Sequence, residues 1–392
     1  MNYEAIIIGG GVVGSSLALI LGQGGLDVCL IDKGRPSSTN EHDFYKGRTA
    51  SLNLSSIGFL KKLGVWEQIE DNTTVFSGIE VWDSQGSSVI KFSASEIEEK
   101  KLGVTAFNNL LSKVIYSELS KISNVSIIED DSLDSIQVRE DVLVSTRNGL
   151  NLGSNILIGA DGSLSSVRNL SSIPIRTWSY DQIAFVASLK PEFPVNNTSY
   201  QIFTDTGPIA LLPINGKGEN LVSLVWSADK EYASKLEKLN TENLLEELKL
   251  KTENKLGSFQ LRGEITTYPL NQLHVKEYFS DRVALVGDSA HTIHPLAGQG
   301  LNLGLSDVND LSERILVSRR LGLDIGGLKL LQEYSSSRKK VNLKMIALME
   351  AFKRGFGSTN PWLRMGRNMA FSVTDKAKPL KKRFIKEAVG VI

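Results

Sequence analysis

A single cysteine among 392 residues forbids an internal disulfide and fits a reducing compartment. It lies in the apolar run Val28-Cys29-Leu30-Ile31, where core packing accounts for it better than catalysis does. Charge of one sign is also missing. Lys+Arg and Asp+Glu both number 44, so no global field draws nucleic acid. No uninterrupted apolar run reaches membrane-spanning length. The N-terminus enters a strand-like segment at once, without the charged region and apolar core of a signal peptide. Only four histidines occur, and no metal-ligand spacing. His291 and His294 lie three apart without a third ligand, so a structural or cofactor-side role suits them better. These absences leave a cytosolic protein, or one lying on a membrane surface. Its length fits two intimately joined domains.

What is present begins at the N-terminus. Ala5-Ile6-Ile7-Ile8 reads as a buried strand, followed by Gly9, Gly11 and Gly14 in G-x-G-x-x-G spacing and by a helical segment from Ser15 to Leu21. Val28 to Ile31 is a second strand that ends in Asp32, with Lys33 after it, 18 residues beyond Gly14. Strand, tight turn, helix, strand and acid are the context a dinucleotide site requires. The glycines admit a pyrophosphate to backbone amides at the helix N-terminus, and the acid meets a ribose hydroxyl.

Two later segments repeat the logic of a buried strand delivering an acid. Asn155 to Ala160 leads into Asp161-Gly162, and Val283 to Val286 leads into Gly287-Asp288. In the second, Gly298, Gln299, Gly300 and Gly304 form a loop where a flat ligand could touch bare backbone. Helical spacing starts at Leu301. Arg48 emerges from a polar loop, Lys33 to Gly47, to open Thr49-Ala50-Ser51-Leu52, and either a phosphate or the edge of a bound cofactor or a surface ion pair would occupy it.

Between these segments the sequence predicts a hairpin over 75–102, a helix over 104–119, and strands at 125–129, 136–138 and 142–146. Residues 176–270 change to strand patterning (183–189, 199–203, 209–213, 221–226, 258–268), interrupted by one charged helix, Thr241 to Leu250. The expected fold is α/β (α+β). It comprises a discontinuous Rossmann-type domain (1–75, 103–175, 275–330), an inserted antiparallel sheet (76–102, 176–274) and a helical C-terminal region (331–392) with a break at Gly355 to Pro361. From Arg338 onward 14 Lys/Arg stand against 3 Asp/Glu, a surplus of 11. That tail reads equally as an anionic-lipid or partner surface and as a solvated helical face.

The G-x-G-x-x-G segment, IGADGSLSSVR and GDSAHTIHPLAGQGLNLGLSD, in this order, resemble the class A flavin-dependent aromatic hydroxylases. GRTASLNLSSIGFLKKLGVW, ALLPING and the tail around Lys378-Pro379-Leu380-Lys381 look most like the ubiquinone-biosynthesis hydroxylases among them. The resemblance covers nearly the full chain. It implies FAD, with the pyrophosphate on Gly9, Gly11 and Gly14, the adenosine ribose on Asp32 beside Lys33, and the ribityl chain on Gly287-Asp288. Arg48 and Asn108 would approach the flavin side. Asp161 and Gly162 would support both FAD and transient NAD(P)H. Pro295, Gly298, Gln299 and Gly300 would face the isoalloxazine, and the amides of Leu301 and Asn302 would meet charge on the reduced ring. Asp32 stands where the family usually has Glu, and Lys46 where it often has an acid, two residues before Arg48.

The activity implied is NAD(P)H- and O2-dependent ring hydroxylation of a polyprenylated phenol through a flavin C4a-hydroperoxide, so no side chain need be the catalyst and no metal is required. Leu211, Leu212 and Pro213 are the expected substrate wall. No nucleic-acid partner is implied, whereas a peripheral membrane contact or a multi-enzyme complex would use the basic tail. The competing readings are a flavin-dependent reductase or oxidase of an isoprenoid and a non-catalytic flavoprotein subunit.

Overall fold

The structure, a computed structural model, describes residues 1–34, 48–84, 89–216, 218–294 and 298–356, together with positions 381, 382, 385, 386, 389 and 390. The polar loop before Arg48, Pro295 and most of the basic tail lie outside the described residues.

Strand β1 (Asn2–Ile8), helix α1 (Val12–Gln23) and β2 (Val28–Ile31) form the expected unit, with β1 and β2 paired in parallel. Strand β3 (Thr49–Asn53) runs into α2 (Leu54–Lys62), whose first turn is capped by Asn53 Oδ1 accepting from Ser56 N at 2.9 Å. Then come β4 (Thr74–Phe76), β5 (Gly78–Asp83), β6 (Val89–Ser93), β7 (Gly103–Phe107) and α3 (Asn108–Leu119). Strands β8 (Val125–Ile128), β9 (Leu133–Val138), β10 (Val142–Thr146) and β11 (Asn151–Gly159) precede α4 (Ser166–Leu170). The inserted region holds β12 (Ile175–Pro191), β13 (Thr198–Thr204), β14 (Gly207–Gly216), β15 (Glu219–Asp229), α5 (Lys230–Leu236), α6 (Thr241–Lys251) and β16 (Phe259–Val275). The chain returns through β17 (Phe279–Ser280), β18 (Val283–Leu285) and β19 (His291–Thr292) to the long helices α7 (Gln299–Arg320) and α8 (Leu328–Phe356).

The first sheet has the order β17-β18-β11-β1-β2-β8, and β18, β11, β1, β2 and β8 all run parallel. Parallel pairing gathers the carboxyl ends of these strands at one edge, where ligands of open α/β sheets bind. Both faces of the sheet are covered, so Ile6, Ile7, Leu30 and Leu157 are fully buried, each worth about 1.5–3 kcal/mol of transfer from water. The second sheet has the order β19-β16-β12-β15-β14-β13-β5-β6, and a small third sheet, β3-β7-β4, bridges the two.

Two expectations change. Residues 104–107 are strand rather than the start of a helix. Val104 and Thr105 suit a strand buried between β3 and β4, and the helical spacing begins only at Asn108. Helix α5 was not anticipated, because its seven residues are too few to show a period. In the tail, Ile385 and Val389 join an apolar cluster with Phe76, Ala94 and Leu102. Lys381 and Lys382 pair with Glu96 at 3.0 Å and Glu98 at 2.9 Å. No helix among the described residues is long and apolar enough to cross a membrane.

Candidate active site

At the first crossover the three glycines divide by task. A Cβ on Gly9 would stand 2.4 Å from Ala160 O, and one on Gly14 would stand 1.9 Å from Gly9 O. Those two are required by the close approach of backbone to backbone. A Cβ on Gly11 would meet no protein atom within 4 Å. Gly11 is also the N-cap of α1, which has no side-chain cap and no acid in its first turn. The positive pole of that helix is therefore free for an anion. Beside it the Asp32 carboxylate accepts from Gly10 N, and from Gly34 N at 3.0 Å. Lys33 is exposed next to it.

The second turn presents a different acid. Gly287 has φ +61°, and Asp288 after it opens to solvent, with no hydrogen bond to its carboxylate among the described residues. Asp288 is nevertheless closely surrounded by protein, which describes the floor of a recess. That surrounding mass pushes its carboxyl above the ordinary range, against the pull of His291 and Arg48, and Asp307 adds to the rise. Arg48 stacks over the Tyr268 ring at 5.5 Å, and its carbonyl accepts from Asn108 N at 2.9 Å. Asn108 Oδ1 is buried there without a hydrogen-bond partner. Arg48 thus lies close to Asp288 on one side and to Asn108 on the other.

Gly298 has φ +62° and caps α7 without a side chain; a Cβ on it would stand 2.8 Å from Ser51 Cβ. Gly300, like Gly11, has open space where its Cβ would be. The first four amides of a helix lack intrahelical partners, here 298 to 301. The amide of Leu301 is therefore among those left open, and that of Asn302 is not. Asn302 acts through its buried side chain instead. Its Oδ1 accepts from Asn53 N at 3.0 Å and Ser56 Oγ at 2.7 Å, and its Nδ2 donates to Ser51 O at 2.7 Å.

Asp161 is likewise reassigned. Both carboxylate oxygens are used on α4, accepting from Ser166 N at 2.7 Å, Ser166 Oγ at 2.9 Å, Val167 N at 3.2 Å and Ser165 Oγ. What that turn leaves open is Gly162, at φ +79° with nothing within 4 Å of its would-be Cβ. Arg168, quoted within the motif but not singled out, is buried and ties the two acid turns together. It donates to Ser289 O at 3.0 Å and Ser163 O at 2.8 Å, and desolvation holds its pKa below the usual arginine value.

Behind the cradle lies a closed buried network. Asp307 accepts from Gly287 N at 3.0 Å, His291 Nε2 at 2.6 Å, Arg338 Nε at 2.7 Å and Asn342 Nδ2 at 3.3 Å. Burial opposes its charge, but His291 and Arg338 outweigh burial and hold the carboxyl below the ordinary range. Asn342 also donates to Tyr278 Oη at 3.0 Å, so the tyrosine hydroxyl donates in turn to His274 Nε2 at 3.1 Å. Burial, with His291 nearby, lowers His274 to about 4. His291 is sealed from solvent and cannot touch a substrate.

The opposite wall is the second sheet, and its two faces differ. Leu211 packs with Trp226, Phe185 and Leu224 in a core under α5 and α6, on the face away from the cradle. Alternation puts Pro213 on that same face, opposite Val222 of the same core. So of the three expected wall residues only Leu212 faces the cradle. Its cross-strand partner Ser223 bonds Thr49 Oγ1 at 2.8 Å, next to Arg48. Around Leu212 this face carries Ala184, Val186, Ser188, Ala210, Val225 and Ser227, with the two valines only half-buried. A face of mostly small side chains is therefore turned toward Arg48. Ser223 and the small-residue face were missed because nothing local marks which face of a strand turns inward.

The residues fit a flavin dinucleotide. Among the described residues two helix poles have no side-chain cap, no atom fills the space beside Gly11, Gly162 and Gly300, and the Asp288 carboxylate accepts no hydrogen bond. Among the described residues no group of three His, Cys, Asp or Glu could hold a metal. Residues 2–348 match the FAD binding domain family. The chain is 31% identical to the ubiquinone hydroxylase of Rhodospirillum rubrum over 99% of this chain and 90% of that protein. It is 31% identical to the 3-demethoxyubiquinol 3-hydroxylase of Escherichia coli over 99% of this chain and 98% of that protein. The p-nitrophenol 4-monooxygenase of Pseudomonas putida shares the fold, with a TM-score of 0.81 at 19% identity over 99% of this chain and 98% of that one. The chain belongs to the FAD-binding family of flavin monooxygenases and is an FAD-dependent oxidoreductase.

Proposed function

We propose that this enzyme hydroxylates the ring of a polyprenylated phenol in ubiquinone biosynthesis, using NAD(P)H and O2. Bound FAD supplies the redox chemistry, taking electrons from NAD(P)H and activating O2. The chain's own part is to hold, orient and shield. Gly11, with the α1 pole, would take the pyrophosphate, Asp32 the ribose and Asp288 the ribityl chain. The α7 pole at Gly298–Leu301 would stabilise negative charge on the reduced ring by about 0.3–1 kcal/mol, and up to about 2 where partly buried.

The observation that carries the reading is the sheet face of Leu212 with half-buried Val186 and Val225, turned toward Arg48. A flat, electron-rich ring fits a surface of small residues, and bound there it would exclude water. The names of the two bacterial relatives agree with such a ring. The division into a discontinuous cofactor domain and an inserted substrate sheet belongs to the same proposal.

Cells lacking the protein should accumulate a quinone precursor missing one ring hydroxyl, and the purified enzyme should place label from 18O2 in that position. NAD(P)H oxidation without label in any ring would favour a reductase or oxidase instead. A peripheral membrane contact through the basic tail has its own check. Deleting residues 376–392 should lower sedimentation with anionic vesicles, and unchanged sedimentation removes that part.

A further inference from the structure

The segment that follows Asp288 is held from across the site by a side-chain chain that the cofactor roles do not use. His294, the residue before Pro295, is 2% exposed, and its Nε2 lies 2.9 Å from Gln182 Oε1 on β12. Gln182 is itself buried, and its Nε2 donates to Asp229 Oδ1 at 2.8 Å at the end of β15. The direction of this chain is forced. A carboxylate only accepts, so the amide NH2 must turn to Asp229 and the amide oxygen to His294. His294 Nε2 must then carry a proton and donate.

The local backbone is shaped around this contact. Strand β12 carries an irregularity between Ser179 and Gln182, with Asp181 at φ +50°. Tyr180, from the same irregularity, stands edge-on to the His294 ring at 4.8 Å between centroids. Gly207, at φ +125°, comes so close that a Cβ on it would lie 3.2 Å from Gln182 Nε2. Just before His294, His291 and Thr292 pair with His274 and Leu273 of β16. The segment after Asp288 is thus tied to the second sheet by backbone at His291 and Thr292 and by side chains at His294.

We propose that Gln182 and Asp229 are positioning residues for the flavin reaction: they fix the proton on His294 Nε2 and so hold the segment that leads from Asp288 to His294 against the second sheet. This rests on the monooxygenase reading above. The two walls of the site then keep one spacing, and a ring bound on β12 and β15 is presented at a fixed distance from the Asp288 turn. Displacement of about 1 Å at such a point can cost roughly 100-fold in rate even when no contacting residue has changed.

The test uses the FAD-loaded enzyme with Gln182→Leu and Asp229→Asn, and Gln201→Ala as a control. Gln201 is another glutamine of the same sheet, bonded to Ile209 O. Imidazole 15N spectra are tractable because the chain has four histidines. Wild type should show His294 protonated at Nε2, and Asp229→Asn should lose that bias. Hydrogen exchange over 291–302 should rise roughly tenfold or more in Gln182→Leu, while FAD affinity changes less than about threefold. Product formed per NAD(P)H, with a short-tailed demethoxyubiquinol as substrate, should fall roughly 10- to 100-fold. The control should match wild type throughout. An unprotonated Nε2 in wild type, or exchange and coupling unchanged in both variants, overturns the proposal. If wild type fails to hydroxylate that ring, the substrate reading fails, while the spectra and exchange still judge the positioning role.

Discussion

Asp307, fully buried on α7, accepts the backbone N–H of Gly287 at 3.0 Å. The turn that presents Asp288 is therefore held from behind by a carboxylate whose charge is balanced by Arg338 from α8 at 2.7 Å. Asp307→Asn would leave the guanidinium buried without its counter-charge. Breaking such a pair costs about 3–5 kcal/mol, far above the 0–1 kcal/mol of a surface pair. Chemical denaturation should show that loss, together with weakened FAD retention. Asp310→Asn, which breaks only a partly exposed i,i+4 pair with Arg314, should cost little. Equal stability of the two variants would refute the proposed role of the network.

Asp288 is the reverse case, a carboxylate whose removal harms the ligand and not the fold. It accepts no hydrogen bond among the described residues, and its surroundings push its pKa up, so the fold does not need its charge. Asp288→Ala should leave the melting temperature of the FAD-free protein unchanged or slightly raised. It should lose a hydrogen bond to a charged group, about 1.5–3 kcal/mol, or roughly 10- to 150-fold in FAD affinity. Fluorescence titration with FAD measures this. Wild-type affinity in the variant would take the ribityl role away from this residue.

How much of this was legible in the sequence depended on whether the determinant was local. The unit from Ala5 to Asp32 was, because strand, glycine spacing, helix and acid each leave a mark within a few residues. The cradle stretch from Val283 to Leu301 was legible for the same reason. Residues 104–107 were not, since their strand exists through pairing with β3 and β4. Leu211 and Leu212 alternate in any strand, but only the assembled sheet decides that Leu212 turns toward Arg48. Asp161 sits before a glycine as a ligand would, yet the amides of α4 reach its carboxylate first. Asn302 and Gln182 join segments more than 100 residues apart, and a single sequence carries no trace of such pairs.

His274 gives the pH dependence of stability. Its folded pKa of about 4 lies below the ordinary 6.5, because burial and the neighbouring His291, Lys339 and Arg176 disfavour its charge, with only Asp307 opposing them. Between these two values the unfolded chain binds the proton and the folded one does not. Its contribution is therefore complete above about pH 6.5 and is lost as pH falls toward 4, by about 3 kcal/mol at 1.36 kcal/mol per pH unit. His274→Gln can still accept from Tyr278 Oη but cannot titrate. Denaturation midpoints from pH 7 to 4 should fall less steeply in the variant, and parallel curves would remove His274 as the cause.

The glycines of the cradle offer the sharpest separation of fold from ligand binding. Gly14→Ala must place a methyl 1.9 Å from Gly9 O, and Gly9→Ala one 2.4 Å from Ala160 O while also holding φ at +106°. Neither backbone can retreat without parting β1 from β11 or α1, so both variants should fold poorly or not at all. Gly11→Ala meets no protein atom, and its φ of −66° suits any residue. Restricting the unfolded chain there should stabilise the FAD-free protein by about 0.4–1 kcal/mol. Gly300→Ala, in the first turn of α7 with the same open space, should gain a similar amount from helix propensity. In both, the new methyl occupies the space through which the cofactor reaches bare backbone, so FAD affinity should fall as stability rises. Melting curves without FAD and titrations with it read the two effects separately. A Gly11→Ala protein that is both more stable and as tightly loaded as wild type would mean the pyrophosphate lies elsewhere.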